Sequence, residues 1–207
     1  MRIVEADNFV DPRDALSHEW QGFMRQVIPE ANWLPMPNLG RGILEFISDW
    51  KLNGFILTGG NNLDEYPARD KTEMTIINYA LQQNLPVLGV CRGFQMMASY
   101  WKVHIGPCAG GGHAGTKHRV QLLDAPVTIK KNSIMVNSYH DNCGPSKNKF
   151  EGTPLIPFAL DSEGLVEGFF MKNKKMAAVM WHPERENPIS EFDEKLVRAI
   201  FADTETG

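Results

Sequence analysis

Short apolar runs alternate with longer amphipathic stretches over the first ninety residues of the chain. Turn-forming segments follow the apolar runs, which predicts buried parallel strands at Ile3-Val4, Trp33-Leu34-Pro35, Phe55-Ile56-Leu57 and Val87-Leu88. Helices are predicted between them, where apolar side chains recur at helical spacing, over residues 15–28, 42–50 and 69–83. Strands that alternate with helices predict an open, doubly wound, mostly parallel sheet.

The pattern changes in the second half of the chain. Residues 119–135 and 158–180 contain several short strand-like runs, which predict a mixed, partly antiparallel extension of the sheet. A helix over about residues 190–201 is expected to close the chain. Because no internal repeat, low-complexity tract or linker interrupts the pattern, we expect a single domain over residues 1–207.

Cys91 stands where a predicted strand meets a predicted helix, in Gly89-Val90-Cys91-Arg92-Gly93. A glycine two residues to either side of a nucleophile is typical of a nucleophile elbow, a strained turn that exposes the nucleophile and leaves no room for side chains around it. The helix N-terminus then favours the thiolate and offers backbone N–H groups to an oxyanion. A buried cysteine flanked by chance glycines is the alternative, so the interpretation depends on partners elsewhere.

A base and a carboxylate follow another predicted strand, in Trp181-His182-Pro183-Glu184. An activated thiol needs one imidazole nitrogen at the sulfur and a carboxylate at the other, and Glu184 is placed to supply it because Pro183 stiffens the intervening backbone. Taken alone, this segment could equally be a strand-end loop with exposed polar groups. Together with Cys91 it predicts a catalytic triad.

Two glycines end the predicted strand at Phe55-Ile56-Leu57, in Thr58-Gly59-Gly60. Glycines at this end of a buried strand let the backbone approach a ligand in the crevice where open α/β sheets bind. The N–H groups of Gly59 and Gly60, with that of Arg92, would complete an oxyanion hole. A plain tight turn is the alternative.

These three motifs, in this order, resemble those of class I glutamine amidotransferases. The segments Arg13-Asp14-Ala15-Leu16 and 33–38 further resemble one branch, the γ-glutamyl-γ-aminobutyrate hydrolase-like (peptidase C26) group. The resemblance implies a three-layer, flavodoxin-like α/β fold and a γ-glutamyl thioester on Cys91. It also implies that His182 acts as base and acid, that Glu184 orients it, and that Gln95 holds the glutamyl α-groups.

A later segment, Met135-Val136-Asn137-Ser138-Tyr139-His140, resembles the V-N-S-x-H segment of that branch, which lies beside the substrate glutamyl group. It implies substrate contacts from Asn137, Ser138, Tyr139 and His140, together with Asn61 after the glycine turn. Asp141-Asn142 stands here where the branch has His-Gln, which leaves the leaving-group side of the pocket open. A satisfied strand-end pair is the alternative for Ser138 and His140.

Residues 110–115 satisfy the pattern G-x-G-x-x-G, but residues 116–121 predict loop and strand rather than the helix that a dinucleotide fingerprint requires. We expect instead a loop beside the substrate, whose contacts to an anionic leaving group would come from His113, Lys117, His118 and Arg119. A solvated loop without a ligand is the alternative for each of them.

Composition excludes several classes of protein. A net charge of −4 provides no basic field for nucleic acid. The acidic start and the lack of an apolar run near ~18 residues predict neither a signal peptide nor a membrane segment, and we expect a cytoplasmic protein. The three cysteines fit a reducing compartment better than a disulfide framework. The histidines show no zinc-binding spacing, so neither metal nor cofactor is expected.

No fused synthase domain is recognisable, which favours hydrolysis over ammonia delivery. We expect an enzyme that releases glutamate from a small γ-glutamyl amide, such as γ-glutamyl-γ-aminobutyrate or a γ-glutamyl-capped nucleotide phosphoramidate like γ-glutamyl-CDP-amidate. The alternative is a glutaminase subunit that delivers ammonia to a synthase partner. A non-catalytic binding module is disfavoured because all three triad members are present, and a homodimer is left open.

Overall fold

The computed structural model describes residues 2–6, 9–108 and 114–202, with side chains from Arg13 onward. Its helices are α1 (Glu19–Val27), α2 (Ile43–Asp49), α3 (Pro67–Gln83), α4 (Arg92–Tyr100) and α5 (Glu191–Phe201). Its strands are β1 (Arg2–Ala6), β2 (Phe9–Arg13), β3 (Phe55–Leu57), β4 (Val87–Val90), β5 (Gly106–Pro107), β6 (Thr116–Leu122), β7 (Ser133–Ser138), β8 (Asn142–Cys143), β9 (Leu155–Leu160), β10 (Val166–Met171) and β11 (Met176–Val179).

A seven-stranded mixed sheet forms the centre, in the order β3-β4-β11-β10-β9-β6-β7. β4 pairs in parallel with both β3 and β11, whereas the pairings from β11 through β10, β9 and β6 to β7 are antiparallel. The predicted α/β class with a mixed second half is therefore present. Parallel pairing within the described sheet is confined to β3, β4 and β11, so it covers less of the sheet than the periodicity indicated.

Two of the predicted parallel strands are not part of the central sheet. Ile3-Val4 belongs to β1, which pairs antiparallel with β2 in a separate two-stranded sheet, because the next apolar run offers a partner without a crossover. Trp33-Leu34-Pro35 forms no strand at all. Its proline, followed closely by Pro37, removes backbone donors that a ladder would need.

Helices cover both faces of the sheet, and the side chains of β11 show how the core divides. Met176, Ala178 and, directly after the strand, Met180 point into a core shared with α2, α3 and α4. Ala177 and Val179 point into a second core shared with α1 and α5. Burying each large apolar side chain contributes about 1.5–3 kcal/mol. The double cover therefore holds the carboxyl ends of β4 and β11 rigidly side by side, which is where the candidate site begins.

The predicted helices are present, with ends shifted by a few residues. The last begins at Glu191, where the hydroxyl of Ser190 accepts the N–H of Asp193 at 3.1 Å and caps the helix. In the part of the chain that the structure describes, none of the helices has both the length and the apolar character needed to cross a bilayer.

Cys108 and Cys143 form a disulfide, whereas the three cysteines were expected to fit a reducing compartment better than a disulfide framework. The antiparallel pair β5-β8 brings together two positions that lie 35 residues apart, a proximity that sequence spacing does not reveal. His140 also lies here, and one ligand atom of each of the three residues falls within 4.8 Å of the others. Because the two sulfurs are bonded to each other, this cluster as it stands offers a metal only the imidazole.

Candidate active site

Cys91 occupies a sharp turn between β4 and α4. Its backbone has φ 52° and ψ −102°, a conformation that costs energy for any residue with a side chain. The flanking glycines are required by space, because a Cβ on Gly89 would lie 2.8 Å from the carbonyl oxygen of Gly93, and one on Gly93 would lie 2.0 Å from that of Leu57. The turn therefore has the geometry of a nucleophile elbow, with Cys91 at its apex.

His182 follows β11, beside the elbow. Asn137 on β7 holds its peptide group from both sides, since the N–H of His182 donates to Asn137 Oδ1 at 2.8 Å and Asn137 Nδ2 donates to the carbonyl of His182 at 2.8 Å. The short 3-10 helix Pro183–Arg185 turns Glu184 back, so that its Oε1 lies 2.7 Å from His182 Nδ1. The structure thus brings Cys91, His182 and Glu184 together, with relative exposures of 4%, 3% and 6%.

The electrostatics around His182 favour its protonated form. Burial opposes the imidazolium, but hydrogen bonds to Cys91 and Glu184 and the charges of both outweigh it and raise the pKa of His182 to about 9. With Nδ1 engaged by Glu184, Nε2 is the nitrogen left to face the sulfur. Near neutral pH the imidazole is therefore protonated and can donate a proton to a leaving group.

The glycine loop after β3 lies between His182 and Arg69. A Cβ on Gly59 would lie 2.6 Å from His182 Cε1. Gly60 has φ +155°, and a Cβ there would lie 2.2 Å from Arg69 Nη1. A side chain would collide with His182 at Gly59 and with Arg69 at Gly60, so the loop predicted to hold an oxyanion borders His182 at Gly59. Donation of their N–H groups to an oxyanion stays a prediction.

The predicted glutamyl-binding residues lie around this centre in different ways. Gln95 is buried on α4, with Nε2 4.0 Å from Met180 Sδ. Tyr139 is exposed and places its ring edge-on to the His182 ring, with centroids 5.6 Å apart. Asn137 uses its side-chain amide on the His182 peptide and, at 2.8 Å, on Glu186 Oε1. Its contacts are therefore those of a residue that positions His182.

The remaining residues of that set lie at the end of β7 and in the segments beside the site. His140 is buried, with Nδ1 2.9 Å from the carbonyl of Asn142, and Ser138 is fully buried. Asn142 donates to Asn62 Oδ1 at 2.8 Å, which ties this segment to the loop that carries the half-buried Asn61. Asn142, which departs from the family pattern, therefore joins the two loops that border the site.

The predicted leaving-group residues do not form one cluster. Lys117 and Arg119 are exposed on β6, where they contact Glu186 Oε2 at 2.8 Å and Ser133 Oγ at 2.9 Å. His118 between them points to the opposite face of the strand, with Nε2 3.7 Å from Glu167 Oε2. The neighbouring Glu167 carboxylate raises the pKa of His118 in spite of partial burial. His113 lies outside the described residues.

Sequence reasoning missed four charged residues that surround the site. Arg69, Asp70 and Glu73 lie on α3 and connect the glycine loop to Arg92, and Glu167 lies buried on β10 beside His118 and His140. The i,i+4 spacing of Arg69 and Glu73 in a predicted helix was visible. Such a pair is usually exposed, so spacing alone gives no indication that this one is buried.

Known proteins share both sequence and fold with this chain. The family model described as Peptidase C26 matches residues 49–184. A γ-glutamyl-CDP-amidate hydrolase of Campylobacter jejuni is 30% identical over 200 residues, covering 91% of this chain and 90% of that protein. A γ-glutamyl-γ-aminobutyrate hydrolase of Escherichia coli is 28% identical over 146 residues, covering 60% and 56%. A crystal structure from Thermoplasma acidophilum, described as that of a GMP synthase subunit, aligns with a TM-score of 0.69 at 21% identity, covering 92% and 88%, which shows a shared fold.

Proposed function

Since the chain belongs to the peptidase C26 family, we propose that it is a cysteine-dependent γ-glutamyl hydrolase that cleaves the γ-glutamyl amide bond of a small metabolite and releases glutamate. The observation that carries this proposal is the contact of His182 with both Glu184 and the Cys91 side chain at the elbow. Nucleophile, base and orienting carboxylate are the three parts that acyl transfer through a thiol requires.

The proposed reaction has two stages. In the first, the Cys91 thiolate attacks the γ-carbonyl carbon, the carbon–nitrogen bond breaks, and the His182 imidazolium gives its proton to the departing nitrogen. In the second, neutral His182 takes a proton from water, the resulting hydroxide attacks the thioester, and glutamate leaves as the thiolate is restored. Glu184 keeps Nδ1 of His182 engaged throughout, so that Nε2 carries the proton in both stages.

For the substrate, we propose a donor with an anionic leaving group, either a γ-glutamyl-capped nucleotide phosphoramidate such as γ-glutamyl-CDP-amidate or γ-glutamyl-γ-aminobutyrate. The Campylobacter relative, which aligns along nearly the whole chain, acts on γ-glutamyl-CDP-amidate by its name. Lys117 supports an anionic leaving group because its ammonium lies close to the site: it contacts Glu186, and Glu186 also accepts a hydrogen bond from Asn137.

Glutamate release from glutamine, γ-glutamyl-γ-aminobutyrate and γ-glutamyl-CDP-amidate tests the proposal. We expect turnover of one of the last two, and a loss of about 10⁴-fold or more in kcat for Cys91→Ala. The matched control is the double variant Cys108→Ala, Cys143→Ala, which removes the other cysteines and leaves the proposed chemistry in place. Full turnover by Cys91→Ala would refute the mechanism. Activity on glutamine alone, and only after addition of a synthase, would favour the glutaminase subunit instead.

A further inference from the structure

Three charged residues at the start of α3 hold the two segments that border Cys91. Arg69 and Glu73 share one face of the helix and bond to each other, with Arg69 Nε donating to Glu73 Oε1 at 2.7 Å. The other oxygen of Glu73 accepts Arg92 Nη1, and Asp70 Oδ1 accepts Arg92 Nη2. Two arginines and two carboxylates thus form a neutral, largely buried network directly behind the elbow.

Arg69 also holds the glycine loop through its backbone. Arg69 Nη2 donates to the carbonyl of Thr58 at 2.7 Å and to that of Gly59 at 3.2 Å. A trans peptide is planar, with its carbonyl and N–H on opposite sides, so the two bonds turn the N–H groups of Gly59 and Gly60 away from the guanidinium. The opposite side of the loop is the side that meets His182, since a Cβ on Gly59 would lie 2.6 Å from the imidazole.

The same network reaches the third proposed donor, the N–H of Arg92. The Arg92 side chain is 1% exposed and ends in the bonds to Glu73 and Asp70, so the residue that follows Cys91 is anchored to α3 as well. Asp70 Oδ2 in addition accepts the N–H of Asp64 at 2.9 Å, which fastens the chain beyond the glycine loop. One helix end therefore sets the relative positions of the loop and the elbow.

We propose that Arg69 is a positioning residue for oxyanion stabilisation: with Glu73 it orients the peptide groups of Thr58-Gly59-Gly60 so that their N–H groups, together with that of Arg92, face the carbonyl oxygen attacked by Cys91. The proposal rests on the proposed function. In this role Arg69 does not touch the substrate. It orients N–H groups that stabilise the reacting carbonyl oxygen only as negative charge develops on it. Its loss should therefore affect kcat rather than KM.

The test compares Arg69→Lys with Arg198→Lys, measured on the γ-glutamyl donor that the unmodified protein hydrolyses fastest. Lysine keeps a charge for Glu73 but cannot hold two carbonyls and a carboxylate in one plane. We expect kcat to fall about 10²-fold, as when one oxyanion donor is lost, with little change in KM. Arg198, which pairs with Glu194 and Glu30 on the surface, should leave both parameters unchanged.

A second measurement separates positioning from general damage. Alkylation of Cys91 by iodoacetamide displaces iodide at a saturated carbon and forms no oxyanion, so its rate in Arg69→Lys should match that of the unmodified protein. Glu73→Gln, which leaves Arg69 unsupported, should show the same split. Unchanged kcat in Arg69→Lys, or alkylation that slows as much as kcat, would overturn the proposal.

Failure of the proposed function would look different. If the unmodified protein hydrolysed none of the γ-glutamyl donors, that function would fall, and glutarate semialdehyde, which lacks the α-amino group that would condense with the aldehyde, would then test Arg69. Attack of Cys91 on this aldehyde forms a thiohemiacetal, whose oxygen requires the same donors without any leaving group. Weaker binding to Arg69→Lys than to the unmodified protein would support the positioning role, and equal binding would overturn it.

Discussion

Gly59→Ala is expected to disable the site without unfolding the protein. The added methyl carbon would lie 2.6 Å from His182 Cε1, whereas carbon atoms in contact prefer about 3.5–4.0 Å. One of the two groups must therefore move by about 1 Å. The imidazole has little freedom to do so, because Asn137 holds its peptide group and Glu184 holds Nδ1 at 2.7 Å.

A displacement of about 1 Å at a reacting group costs about 10²-fold in rate, which corresponds to about 2.7 kcal/mol. We therefore expect kcat/KM of Gly59→Ala to fall by at least this factor on the best γ-glutamyl donor. The melting temperature should change little, because the loop is only partly buried. Retention of the wild-type kcat/KM would refute the reasoning, since it would mean that the loop moves away from His182 without consequence.

Gly22→Ala is the matched control for this substitution. Gly22 is exposed on α1, and a Cβ there would meet nothing within 4 Å. Alanine is the better helix former, so this variant should gain about 0.5–1 kcal/mol of stability and keep full activity. The pair thus separates the effect of a methyl group at the site from that of a glycine replacement in general.

Three further predictions concern titration and the disulfide. The pKa of His182 rises from 6.5 to about 9 in the folded state, so the stability that protonation of His182 contributes is complete below pH 6.5 and is lost as the pH rises through 9. The urea midpoint of the wild type relative to His182→Asn should therefore fall over this range, and a constant difference between the two midpoints would contradict the raised pKa. Burial raises the pKa of Asp193 from 3.8 to about 6, so the stability of the wild type relative to Asp193→Asn should decrease from pH 3.8 to 6. A relative stability that increases over this range would show instead that the folded protein favours the ionised carboxylate. Reduction of the Cys108–Cys143 disulfide, which closes a segment of 35 residues, should lower the free energy of unfolding in urea by about 4 kcal/mol, whereas a reductant should not change the stability of the double variant Cys108→Ser, Cys143→Ser. Native unreduced protein should react with one equivalent of iodoacetamide, at Cys91, and reaction with three equivalents would contradict the disulfide.

The sequence was most informative where structure depends on neighbouring residues. Apolar spacing located α1, α2, α3 and α5, because a helix needs only a continuous apolar stripe and suitable ends. The elbow at Cys91 was likewise visible, since its steric requirement falls on glycines two residues away. The pairing of His182 with Cys91 was inferred from the complementary chemistry of the two motifs and from the resemblance, because no local pattern shows the proximity of residues 91 positions apart.

Only the tertiary structure determined which polar groups bond to each other when they lie far apart in sequence. Asn137 was expected at the substrate, yet strand pairing places its amide against the His182 peptide. Cys108 and Cys143 meet through two short strands, and Arg69 reaches the glycine loop because α3 packs behind it. Local pattern determines which face of an element is apolar, but a hydrogen bond or ion pair depends on which elements pack together. Sequence therefore identified the residues that meet at the candidate site, and the packing of the sheet determined what holds them in position.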